Sequence, residues 1–179
     1  MTEDPTGGNP RGLLFIADLA NTVQDDPEAG AEAFQALLER HGGPSFTLTG
    51  ADARGLREAT ARLTRILETD DEDRAAEAIN ALLDEYPARP RLVRFPGRPW
   101  SLHTEARRGA GPTEWLLSTT APALGLWLSE RGRCAWGQCA APRCDRYYID
   151  TGRRTPQRYC SPRCATRVRV ASHRARRDG

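Results

Sequence analysis

All five cysteines of this 179-residue chain lie between positions 134 and 164, and four of them form two short-spaced pairs. Cys139-Ala-Ala-Pro-Arg-Cys144 and Cys160-Ser-Pro-Arg-Cys164 are separated by 15 residues, a C-x4-C-x15-C-x3-C pattern. Two such pairs, each on its own turn, offer four thiolates tetrahedrally to one zinc ion. A disulfide framework is the competing reading. Against it, the acidic start Met1-Thr2-Glu3-Asp4-Pro5 does not read as a secretory leader, and a cytoplasm keeps thiols reduced. The expectation is therefore one structural zinc per chain and a cytoplasmic setting. Cys134 is left over. It reads either as a free thiol at the end of the preceding helix or, from its own x4 spacing, as an alternative partner of Cys139.

Charge divides the chain at nearly the same place. Residues 1–130 carry 13 arginines against 21 acids, a net −8, whereas residues 131–179 carry 13 arginines against three acids, a net +10. The chain contains no lysine. An acidic body with a basic, cysteine-bearing tail predicts two modules. We place a disordered N-terminus at 1–10, a helical body at 11–131 and a zinc module at 132–179. The longest nearly apolar runs, 12–20 and 115–128, fall short of the ~20 residues of a membrane span, so no membrane role is expected.

Within the body, Leu13 to Val23 form an apolar helix-like block, and a second helix is expected from near Pro27, with Phe34, Leu37 and Leu38 on one face. Thr49 and Asp52 stand at capping-box spacing ahead of Leu56, Ala59, Leu63 and Leu67. The acidic run Asp70–Asp73 suits the start of a fourth helix with Ala75, Ile79, Leu82, Leu83 and Tyr86 as its apolar positions. Residues 92–103 change period and read as a short β-hairpin, turning at Pro96-Gly97-Arg98-Pro99. A last body helix spans about 113–130, buries Trp115, Leu116, Leu124, Trp127 and Leu128, and is kinked or restarted at Pro122. The fold class is mainly α with a small hairpin, followed by a treble-clef-like or ribbon-like zinc module.

Ser161-Pro162 reads as an N-cap followed by proline at the first helical position. A helix from there puts Cys164, Val168, Ala171 and Ala175 on the metal-facing side. Arg163, Arg167, Arg169, Arg174, Arg176 and Arg177 then fall toward solvent and, with Arg153 and Arg158, make a candidate nucleic-acid face. A solvated basic face that touches the acidic body is the bland alternative.

Cys139-Ala140-Ala141-Pro142-Arg143-Cys144, Tyr148-Ile149-Asp150-Thr151-Gly152-Arg153, Arg158-Tyr159-Cys160-Ser161, Cys164-Ala165-Thr166-Arg167 and His173-Arg174-Ala175-Arg176-Arg177 resemble the CGNR zinc-finger family. Asp18-Leu19-Ala20-Asn21-Thr22 and Leu56-Arg57-Glu58-Ala59 resemble that family's partner, the ABATE domain. The resemblance implies a bacterial, stress-related transcription regulator whose zinc finger binds DNA. Ala165-Thr166 depart from the Gly-Asn that the family name spells, which keeps the metal ligand and removes the asparagine side chain.

Asp18, Asn21 and Thr22 lie on one side of an otherwise apolar helix. They line a small-molecule pocket with Trp100 and His103, or they satisfy neighbouring backbone groups. Ser118, Thr119 and Thr120 cluster without a visible base, no phosphate loop or hydrolase elbow occurs, and four cysteine ligands close a zinc shell, so no enzyme is expected. The preferred function is DNA binding by the module, with the body sensing a small-molecule effector or forming a homodimer. The alternatives are an adaptor that docks an acidic protein, or an accessory or catalytic role in small-molecule metabolism.

Overall fold

A computed structural model of the chain describes residues 10–94, 100–152 and 155–177. The expected disordered tail up to Asn9, the Pro96–Pro99 turn and Arg153 lie outside the described residues, as do the side chains of Ala175, Arg176 and Arg177. Among the described residues, six helices and two small sheets follow in order. They are α1 (Pro10–Asp25), α2 (Ala31–His41), α3 (Gly50–Leu67), α4 (Glu72–Glu85), β1 (Arg89–Arg94), β2 (Trp100–Glu105), α5 (Pro112–Arg131), β3 (Trp136–Gln138), β4 (Tyr147–Ile149) and α6 (Pro162–Arg177). No described helix is long and apolar enough to cross a membrane.

Local chemistry explains most boundaries. Thr49 and Asp52 form the capping box at α3, with the Thr49 N–H donating to Asp52 Oδ2 at 2.8 Å and the Asp52 N–H to Thr49 Oγ1 at 3.2 Å. Asp71 caps α4 by accepting from the Arg74 N–H at 3.0 Å, with Glu72 and Asp73 in the first turn, where carboxylates oppose the helix dipole. The start of α2 differs from expectation. Pro27 lies in the turn before it, where the Glu28 N–H donates to Asp26 Oδ1, and the helix opens four residues later, at Ala31. Its buried residues are Phe34, Leu37 and Leu38, as the periodicity predicts.

The helix α5 runs through Pro122 without a restart. Proline removes one donor from the ladder. In the preceding turn the Thr119 and Thr120 hydroxyls donate to the carbonyls of Trp115 and Leu116, both at 2.7 Å. The polar cluster of this helix is thus back-bonded to its own backbone. Because α5 packs against α1, α3 and α4, it is buried on more than one side. Leu117, Ser118, Thr120 and Ala121 are buried along with Leu116, Leu124 and Trp127, while Trp115 and Leu128 are only half-buried.

β1 and β2 pair antiparallel, Leu92 opposite Leu102 and Arg94 opposite Trp100, and Leu92, Trp100 and Leu102 stand exposed. The second hairpin, β3 with β4, belongs by position to the cysteine-bearing tail. Its Trp136, Tyr147 and Ile149, with Ala135 before it, are nonetheless buried in the same hydrophobic core as α1 to α5.

Candidate metal centre

The four paired cysteines come from two short pieces of backbone. Cys139 follows β3 and Cys144 precedes β4, so the first pair sits on the turn that joins the strands. Cys160 lies just before α6 and Cys164 in its first turn. Arg143, one residue before Cys144, has φ 60°, a left-handed conformation that sharpens the turn. The Ser161 hydroxyl accepts from the Cys164 N–H at 3.3 Å, the N-cap expected of Ser161-Pro162. Strand, metal turn, strand, second metal turn and ligand-bearing helix give the treble-clef-like order.

The sulfurs of Cys139, Cys144, Cys160 and Cys164 all lie within 4.8 Å of one another. Three of the edges, Cys144–Cys160, Cys160–Cys164 and Cys164–Cys144, are each 3.7 Å. A tetrahedron with Zn–S bonds of about 2.3 Å has edges of about 3.8 Å. Sulfurs 3.7 Å apart are far from the ~2.05 Å of a disulfide. The donor set and its size therefore fit one zinc. When bound, a four-thiolate zinc supplies structural cross-linking and has no open position for substrate.

The surrounding residues orient these ligands. The Cys160 N–H donates to Cys139 Sγ at 3.3 Å, and the Ala140 N–H to the Arg158 carbonyl at 2.8 Å, which ties the two metal turns together. The Arg167 guanidinium donates to the Pro142 carbonyl at 3.2 Å and approaches Cys164 Sγ at 3.7 Å. This corrects the expectation that Arg167 stands away from the metal. One helical turn after Cys164, its side chain folds back across the first metal turn. Val168 packs on the cysteine cluster as expected, but Ala171 is exposed, because α6 outruns the small module beneath it. The Cys164 thiol is pushed down to about 7 by the Ser161 hydroxyl and its sulfur neighbours, and burial together with the same sulfurs raises Cys160. A metal replaces the protons that four crowded thiols share.

Cys134 stays outside the cluster as a free, half-buried thiol against the body core. Burial and the nearby Glu72, Asp70 and Asp71 push it up to about 11, which disfavours its thiolate.

Two polar residues that sequence reasoning undervalued hold the module in place. Asp150, fully buried, accepts from Arg133, from the Gly152 N–H at 2.8 Å and from the Gln157 N–H at 3.0 Å. Burial alone raises its carboxyl, but these donors outweigh that and hold it below the ordinary carboxylate value. A Cβ at Gly152 would meet Asp150 Oδ1 at 3.0 Å and the Thr155 carbonyl at 3.1 Å, a tight fit that favours glycine there. The Asp-Thr-Gly run at 150–152 is the turn signal that marks this loop in the sequence.

Asn21 is the second. From α1 it donates through Nδ2 to the Tyr147 carbonyl at 3.0 Å and accepts the Tyr147 N–H through Oδ1 at 2.8 Å, so its amide pairs with the edge of β4 like a fragment of strand. The Tyr147 hydroxyl donates to Glu68 at 2.7 Å, and Arg146 pairs with Asp25 at 2.9 Å. These three contacts bind the metal-bearing hairpin to α1 and the end of α3.

None of the five residues expected to line a pocket lines either of the two described cavities. Asn21 is spent on Tyr147, Asp18 pairs with His41 at 2.9 Å, and Thr22 lies one residue beyond Asn21 on the same helix. Trp100 is 63% exposed on the first hairpin, and His103 Nε2 lies 3.0 Å from the Ser101 hydroxyl. The void beside α1, among Phe15, Phe34, Leu56 and Trp115, is about 10 Å³, room for one water at most, and none of the five lines it. Backbone satisfaction is the reading that holds for Asn21.

The fold and this site define a helical-body protein that carries a structural four-cysteine zinc module. Residues 15–129 match the ABATE domain, described as a putative stress-induced transcription regulator, and residues 136–177 match the CGNR zinc finger. The chain belongs to the ABATE family and also carries a CGNR zinc finger. No curated protein matches it.

Proposed function

We propose that the chain is a DNA-binding transcription regulator of the bacterial cytoplasm, with the zinc module as its DNA-contacting part. The observation that carries this reading is the outer length of α6. Residues 169–174 are all exposed, and Arg158, Arg163, Arg169 and Arg174 face solvent with no carboxylate partner among the described residues. A basic face that merely neutralised the acidic body would show ion pairs to it. In the tail, the ion pair to the body is made by Arg146 with Asp25 instead, while Arg133 pairs with Asp150 of the tail itself. A helix exposed all round lacks the packing that normally stabilises one, and a phosphate surface supplies the missing partner. Arginine suits that surface because its fork binds two oxygens at once.

Four thiolates and one Zn²⁺ contribute about −2, so the tail remains strongly positive against the net −8 of residues 1–130. If Arg158, Arg163, Arg169 and Arg174 each reach a phosphate, log affinity against log salt slopes by about −3.6. Anisotropy titrations of the zinc-loaded chain on a labelled duplex across salt test this. Replacing Arg163, Arg169 and Arg174 together by Ala should flatten the slope by about 2.7 with zinc retained. No duplex binding by the wild-type chain at low salt, or an unchanged slope in the triple variant, would sink the reading.

A further inference from the structure

A second concentration of arginine sits in the acidic body. Residues 89–108 hold six arginines against one acid, Glu105, within residues 1–130, whose net charge is −8. Strand alternation sends Arg89 and Arg91 to the face of β1 opposite exposed Leu92. The turn after β2, closed by the Ala110 N–H to the Arg107 carbonyl at 3.1 Å and made possible by Gly109 at φ 83°, carries Arg107 and Arg108 to the same place. These four arginines, with Thr104, Glu105 and Trp115, line an open cleft of about 480 Å³.

The four are not equivalent. Arg91 lies 3.6 Å from the Glu105 carboxylate and Arg107 pairs with Glu114, whereas Arg89 and Arg108 have no carboxylate partner among the described residues. Arg89, opposite Glu105 in the strand register, and Arg108 thus keep their guanidinium groups out of carboxylate contact at one cleft, and an anion there offers both a partner. The cleft also opens beside the start of α5, where Gly111 provides no side-chain cap and Pro112 no N–H, so the positive end of a 20-residue helix adds to the field. The cleft is open to solvent and has more room than a bare phosphate needs. Glu105 in the lining, and Glu114 paired with Arg107 beside it, disfavour a continuous nucleic-acid backbone.

We propose that this cleft binds a diphosphate-bearing small molecule. Arg89 and Arg108 take one phosphate each, and the organic part fills the remaining space toward Trp115. The inference is independent of the DNA reading of α6, which uses none of these residues.

Titration of the zinc-loaded full chain with inorganic pyrophosphate and with ADP, zinc content being measured before and after, tests it. Saturable one-to-one binding is expected, tighter for ADP, and at least tenfold weaker in the Arg89→Ala, Arg108→Ala double variant with unchanged melting of the free protein. The Arg163→Ala, Arg174→Ala variant should bind both anions as the wild type does. The proposal is overturned if neither anion binds at millimolar concentration, if ADP binds more weakly than pyrophosphate, or if the α6 variant loses anion binding while the cleft variant keeps it. It is also overturned if the cleft variant retains anion affinity but loses duplex affinity with a flatter salt slope, which would make the cleft a DNA contact.

Discussion

The helical body and the zinc module are built on different physics. The body is held by burial. Leu13, Ile16, Phe34, Leu63, Leu67, Leu116 and Leu124 are essentially excluded from water, and non-directional apolar contact of this kind tolerates small changes in geometry. Around the metal, the buried apolar cluster among the described residues is Cys139, Ala141 and Cys164, with Tyr159 and Val168 partly covering them. So small a cluster does not order a 16-residue helix, and four metal bonds together with Asp150, Arg167 and Ser161 take the place of a core. Between these two regions stands β3–β4, which carries the first metal turn yet buries its aromatic side chains in the body. Metal and core therefore meet in one hairpin, and how far each survives without the other is a measurable question.

Zinc removal gives the largest effect, since structural zinc sites bind with about 10 kcal/mol or more. Chelation, or Cys160→Ser, should release one equivalent of zinc and melt α6 and the metal turns, lowering the far-ultraviolet helix signal. The helices α1 to α5 should persist. Simultaneous loss of the whole helix signal would show one cooperative unit and end the comparison.

Next comes Leu63→Ala in the body core, at a residue with no exposure. It should cost about 2–5 kcal/mol in urea unfolding while the native protein still holds one zinc. Zinc loss from the folded variant would show that the core orders the metal site.

Asn21→Ala tests the joint itself. It leaves the N–H and carbonyl of Tyr147 without their amide partner, at a cost of about 2 kcal/mol. Calorimetry should then resolve two transitions where the wild type shows one. A single transition, lowered but intact, would mean that the apolar contacts of Trp136 and Ile149 couple the regions by themselves.

The smallest effect is a pH dependence. Burial, and then the hydrogen bond to Glu68, pushes the Tyr147 hydroxyl up to about 12. A group whose folded value is raised contributes stability that is complete below its unfolded value, about 10, and is lost as pH rises through the folded one. Stability should thus decline between about pH 10 and 12, and less so in Tyr147→Phe, with phenolate absorbance as the second readout. An equal decline in both proteins would remove Tyr147 from the cause.

Much of this architecture can be read from local spacing. The four ligands lie within two short turns, the capping box of α3 spans four residues, and Asp71 with Glu72 and Asp73 sits where a helix dipole favours carboxylates. Each depends on backbone geometry over three to five positions, which the residue order specifies by itself. The continuity of α5 through Pro122 was beyond such reasoning, because its packing against three other helices outweighs the missing donor. So was the inward turn of Arg167, which depends on a carbonyl 25 residues earlier, on the other metal turn. Asn21 shows the limit most clearly. Its position in an apolar helix announced a buried polar group in need of partners, but the partner lies 126 residues away and became available only when β4 was packed against α1. Sequence order determined the ligands, the helices and the segregation of charge. Which polar groups face each other across the joint was decided by tertiary packing, because a hydrogen bond depends on position and angle, and only the assembled core sets those for residues far apart in the chain.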